Sequence, residues 1–153
     1  MKAILGNTAP SQVAVICKNL EETKKQFAKF LGMPIPENSD GGPYEVTGCE
    51  YMGNPSPESH CKMAFFELGN IQLELIEPYG GKSTWQDFLD ETGGGIHHIA
   101  YQVEDIEKSM KDLEEFGMKL TQYGKYNDAS GAYAYFDGRS TVGCFIELLC
   151  TFK

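Results

Sequence analysis

The chain has 153 residues, 41% of them hydrophobic and 23% charged, with a net charge of −9 and five cysteines. That length fits one domain, or two small modules sharing a core, and no apolar run approaches membrane-spanning length. Acidity and a lone arginine, Arg139, exclude a nucleic-acid surface and weigh against a polyphosphate clamp, which is usually built on arginine.

The opening MKAILGNTAP has three consecutive apolar residues, too few for a signal-peptide core. The cysteines form no CxxC pair, and a reducing cytoplasm is the expected location. Residues 12–17 alternate as a strand. Asn19 predicts a helix N-cap with Glu21 and Glu22 in the first turn, and Leu20, Phe27, Phe30 and Leu31 form the apolar side of a helix ending at Gly32. The Pro- and Gly-rich stretch 36–60 holds one predicted strand, 44–52, followed by loop. Strands at 61–68 and 71–77 are joined by the Gly69-Asn70 hairpin signal. Ser83 predicts the cap of a short helix through Leu89, and the glycines at 93–95 a flexible connector. A strand at 97–103, a helix at 105–116 capped near Asp105, and strands at 119–126, 132–137 and 143–149 complete the chain.

The two halves repeat. At an offset of 86, Gln12-Val13-Ala14-Val15 falls on His98-Ile99-Ala100-Tyr101, and Phe30 falls on Phe116. At 70, Ala64-Phe65-Phe66 falls on Ala134-Tyr135-Phe136, and at 73, Leu73-Glu74-Leu75 falls on Ile146-Glu147-Leu148. The expected fold is therefore α+β: one domain over 1–153, made of tandem βαβββ modules at 10–80 and 96–152, with curled, antiparallel-rich sheets around a cleft.

Duplication generates a pseudo-two-fold axis that makes Gln12 the partner of His98 and Glu74 the partner of Glu147. Alternation places all four away from the helix-covered core, with an alanine two positions beyond both Gln12 and His98 leaving room for a ligand. A solvated sheet face would read the same way residue by residue; matched polar residues in both halves favour a shared site. A carboxylate half-buried there needs a partner, since even an uncharged polar group costs about 2–7 kcal/mol to bury unpaired. His97, next to His98, is expected to point to the other face as a structural histidine. Tyr126, Tyr133 and Tyr135 read as strand residues of core and rim, or as a platform for a ring; Glu58 and His60 read as loop residues near a cleft mouth. Lys62, Lys82 and Lys125 are the cations available to hold one phosphate or carboxylate.

The runs LELIEPYGGKSTWQDFL, GGGIHHIAYQVEDIE and GCFIELL, on a doubled βαβββ unit, resemble the vicinal oxygen chelate superfamily of glyoxalases, methylmalonyl-CoA epimerases, extradiol dioxygenases and antibiotic-binding proteins. The epimerases are the branch most resembled, over nearly the whole chain. The resemblance implies a glyoxalase-like fold and a divalent metal (Co, Ni, Mn, Zn or Mg) held by Gln12, Glu74, His98 and Glu147. Gln12 departs from the usual histidine, and an amide oxygen is a weaker ligand than imidazole. One histidine among four ligands disfavours dioxygenase chemistry.

The implied activity is that of an isomerase, epimerase or lyase acting beside a carbonyl through an enediolate, with Glu147 as base and Glu74 returning the proton. The implied substrate is a small molecule such as an acyl-CoA or a 2-oxo compound, and the implied assembly a homodimer without nucleic acid or membrane. The alternative is a metal-free binding protein of the bleomycin-resistance type.

Overall fold

A computed structural model describes residues 1–153. The elements in chain order are β1 (Gln12–Ile16), α1 (Leu20–Leu31), β2 (Ser39–Asp40), α2 (Tyr44–Thr47), β3 (Glu50–Tyr51), β4 (Asn54–Pro55), β5 (Ser59–Glu67), β6 (Gln72–Gly80), α3 (Thr84–Thr92), β7 (Gly95–Gln102), α4 (Ile106–Phe116), β8 (Lys119–Lys125), β9 (Gly131–Asp137) and β10 (Phe145–Thr151). Ten strands form one curled sheet in the order β2-β5-β6-β1-β7-β10-β9-β8-β3-β4. The first strands of the two repeats, β1 and β7, lie antiparallel at its centre, each flanked by the last strand of its own repeat in parallel. The duplication is thus visible as a local two-fold axis between β1 and β7. No helix is long and apolar enough to cross a membrane.

Capping follows the sequence. Asn19, Ser83 and Asp105 each accept a hydrogen bond from a backbone N–H three residues on, and Gly32, Gly93 and Gly117 end the three long helices in the left-handed region. The convex side of the sheet carries α1, over Val13, Val15, Leu73 and Leu75, and α4, over Ile146 and Leu148. A third cluster lies on the concave side, where Trp85 of α3 meets Ile16, Cys61, Ile76 and Tyr135. Phe30, expected on the apolar side of its helix, is instead 82% exposed, and its repeat partner Phe116 is 48% exposed. Both stand at helix ends, where the apolar stripe has rotated away from the sheet.

The predicted strand 44–52 is not formed. Pro43 and the left-handed Gly48 bracket a single helical turn, and only Glu50–Tyr51 is extended. This segment leaves the first repeat at β2 and reaches the far edge of the sheet, where β3 pairs with β8 and forms a two-residue hairpin with β4 inside the predicted loop. Asn127 Nδ2 donates to the Asp40 carbonyl at 3.1 Å, so the strap 41–49 draws the two edges of the sheet together. The glycines at 93–95 are also more than a connector. Gly93 caps α3, Gly95 begins β7, and Gly94 (φ +109°) passes so near the Ile16 carbonyl that a Cβ would lie 2.7 Å from its oxygen.

Candidate metal centre

The pleat determines which side chains meet. On β1, Gln12, Ala14 and Ile16 face the concave side, while Val13 and Val15 pack under α1. Ala14 lies beside Glu74 on β6 and opposite His98 on β7; Ala100 lies beside Glu147 on β10 and opposite Gln12. The two alanines, both fully buried, separate the four polar side chains by one strand width. One chain supplies every member of the group.

Glu74, His98 and Glu147 come together. His98 Nε2 lies 3.2 Å from Glu74 Oε2 and 2.9 Å from Glu147 Oε2, and one ligand atom of each residue falls within 4.8 Å of the others. Gln12 lines the same cavity and is 8% exposed. Its amide nitrogen donates to Gln72 Oε1, and Gln72 in turn donates to Glu67, which leaves the Gln12 oxygen free.

Six buried side-chain polar atoms lack a hydrogen-bond partner. Four are Gln12 Oε1, Glu74 Oε2, His98 Nε2 and Glu147 Oε2, one from each predicted ligand. The approach of His98 Nε2 to the two carboxylates therefore lacks hydrogen-bond alignment, and leaving buried polar atoms without a partner inside a protein is costly. Three oxygens and one imidazole nitrogen form a donor set suited to a divalent ion of the Mn, Co, Ni, Zn or Mg class. The residues fit the group that the resemblance implies.

Electrostatics reinforce the fit. Burial, opposed by His98 and reinforced by the Glu147 charge, pushes the Glu74 carboxyl above its usual range. Burial works against a charged His98, but Glu147 and then Glu74 outweigh it and push the imidazole up to about 9. Two like charges this close and this dry are relieved by a proton on the group or by a cation in its midst.

His97 departs from expectation. Val15 pairs with Ile96 and Ala14 with His98, so His97 is the extra residue of a β-bulge, and both rings lie on the concave side. Their Nδ1 atoms are 2.9 Å apart. Burial, then the charges of His98 and Arg139, holds His97 well below the usual imidazole range.

The cavity, about 410 Å³, is walled beside the carboxylates by Trp85, Tyr133 and Tyr135, with Lys125 and Tyr126 also in its lining. Burial, then the Glu147 and Glu74 charges, keeps the Tyr135 phenol well above its ordinary range. The tyrosines are thus core residues and cavity wall at once. Glu58 and His60 do not line it; His60 stacks on Tyr79 at 5.3 Å, with Lys62 over the same ring. Arg139 is engaged by Asp137 and Glu91 at a separate place. Sequence reasoning missed Gln72 and Trp85. Gln72 was detectable, since it stands two residues before Glu74 on the same strand face; Trp85 arrives on the connector helix, which no strand periodicity describes.

Residues 11–136 match the Glyoxalase/Bleomycin resistance protein/Dioxygenase superfamily. An ethylmalonyl-CoA/methylmalonyl-CoA epimerase from Cereibacter sphaeroides is 28% identical over 141 residues, covering 90% of this chain and 94% of its own. The mitochondrial methylmalonyl-CoA epimerase of Dictyostelium discoideum is 30% identical over 140 residues, covering 90% of this chain and 75% of its own. Among solved structures, the methylmalonyl-CoA epimerase from Mycobacterium tuberculosis superposes with a TM-score of 0.65 at 17% identity, over 100% of this chain and 93% of that one, a likeness of fold. The doubled βαβββ unit folded around one central cavity, together with the match over 11–136, places this chain in the glyoxalase/bleomycin resistance protein/dioxygenase superfamily.

Proposed function

We propose that the chain is a metal-dependent epimerase that inverts a carbon next to the carbonyl of an acyl-CoA thioester. The observation that carries this reading is the set of four unpartnered buried polar atoms, with those of Glu74, His98 and Glu147 grouped together and that of Gln12 on a residue lining the same cavity. The epimerase names of relatives aligned over nine-tenths of the chain support the reaction class and the thioester.

Gln12, Glu74, His98 and Glu147 would hold the ion. When bound, a divalent ion polarises the carbonyl oxygen and lowers the cost of removing the adjacent proton. The chain's own groups do the rest. Glu147 takes the proton from one face of the substrate carbon, and Glu74, whose carboxylate approaches the same His98 nitrogen, returns one to the opposite face. Trp85, Tyr133 and Tyr135 exclude water from the reacting carbon. The cavity holds the acyl end, and Lys125 in its lining supplies a cation for one anionic group of the ligand. A homodimer and a reducing cytoplasm belong to the same reading, the second supported by five free cysteines. A metal-free trap for an aromatic ligand would use the same aromatic wall, but it leaves two buried carboxylates with one imidazole between them and four buried polar atoms without hydrogen-bond partners.

Deuterium exchange tests this. In D2O with added Co2+, a 2-branched acyl-CoA loses its α-hydrogen signal on incubation with the protein, and Glu147→Gln slows the exchange by about 10²–10⁴-fold. Absence of exchange over a panel of 2-branched thioesters, with and without the metal, contradicts the proposal.

A further inference from the structure

Consecutive strand residues ordinarily point to opposite faces, so a His-His pair on a strand presents one ring to each side. The bulge in β7 cancels that rule at His97 and His98, and both rings are almost wholly buried on one side. Two ring nitrogens 2.9 Å apart share one hydrogen, which one must donate and the other accept. On its other edge, His98 directs Nε2 toward Glu74 Oε2 and Glu147 Oε2. An imidazole that gives the lone pair of Nε2 to an ion keeps its hydrogen on Nδ1. His98 Nδ1 is then the donor, and His97 Nδ1 must be the acceptor, with its own hydrogen on Nε2.

We propose that His97 is a positioning residue: it accepts from His98 Nδ1, fixes the His98 tautomer and ring plane, and aims Nε2 between the two carboxylates. The proposal rests on the metal-centre reading above. His97 is suited to this because its own plane is set by packing. It stacks on Phe145, with centroids 4.5 Å apart and planes 18° apart, and Phe88 meets it edge-on at 4.9 Å. An aromatic clamp therefore sets one ring, and a hydrogen bond passes that orientation to the next. Carboxylates and backbone carbonyls are the usual acceptors behind a ligating histidine. An imidazole does the same without adding a third negative charge beside Glu74 and Glu147.

Two measurements test it. Nitrogen-15 spectra of the imidazoles in the metal-free protein are expected to show His97 with its hydrogen on Nε2 and a bare Nδ1, and His98 with hydrogen on Nδ1. Calorimetric titration with Co2+ compares the unaltered protein with His97→Phe and His97→Asn. The His97→Phe variant keeps the aromatic stack and removes the acceptor, and its Co2+ affinity should fall about 10–100-fold. The His97→Asn variant offers an amide oxygen near the position of Nδ1 and should regain most of that loss, which a purely structural role would not predict. A hydrogen on His97 Nδ1, or unchanged affinity in His97→Phe, overturns the proposal. If the unaltered protein binds no Co2+, the metal-centre reading fails, and the spectra alone decide for or against His97.

Discussion

At the scale of single residues, His98 carries the sharpest energetic signal. Its imidazole is fully buried, which opposes charge, yet two carboxylates push its pKa up to about 9 from an ordinary 6.5. In the metal-free protein, the folded state therefore holds a proton that the unfolded chain has released. The resulting stabilisation is complete below about pH 6.5 and disappears as the pH rises through about 9. The melting temperature of metal-free protein should accordingly decline across that window, and the decline should be smaller in His98→Gln. Metal binding must displace the same proton, so apparent affinity should rise with pH over the same range. The four polar residues were legible because alternation and duplication act on sequence directly. His97 was not: a one-residue bulge inverts the parity of every count made across it, and nothing local in GIHHIA marks which residue is extra.

At the scale of elements, the strands with local partners and the capped helices lie close to where the sequence placed them. The segment 41–55 does not, because its pairing partner, β8, is some seventy residues away and local propensity knows nothing of it. The strap makes its own demands on the chain. Gly42 has φ +86° and sits so near Asn127 that an added Cβ would lie 2.7 Å from its Cβ and 2.9 Å from its Cα. Gly53, at φ +79°, has open space around it. Gly42→Ala should therefore destabilise the protein by about 1–3 kcal/mol more than Gly53→Ala, because it adds overpacking to the shared backbone strain. Paired denaturant melts of the two variants measure the difference. Equal losses would show that the strap is not held against the second repeat.

For the whole molecule, duplication is the organising fact. It joins two modules, each marginal alone, through β1 and β7 into one sheet, and it brings Glu74, His98 and Glu147 together on the concave side, with Gln12 in the lining of the same cavity. The repeat in the sequence anticipates the approach of those three, while the Gln12 amide nitrogen is engaged by Gln72. It could not foresee the short edge pairing that draws the sheet shut, or the connector helix that delivers Trp85, since neither has a counterpart in the other half. The central claim is that one chain builds one divalent-metal site from these residues. Its most direct test is an anomalous difference map from crystals grown with Mn2+ or Co2+. A single strong peak per chain is predicted, with Glu74, His98 and Glu147 at about 2.0–2.2 Å and Gln12 turned toward the ion. A map with no peak at this centre, or with the metal bound elsewhere on the chain, would contradict the claim.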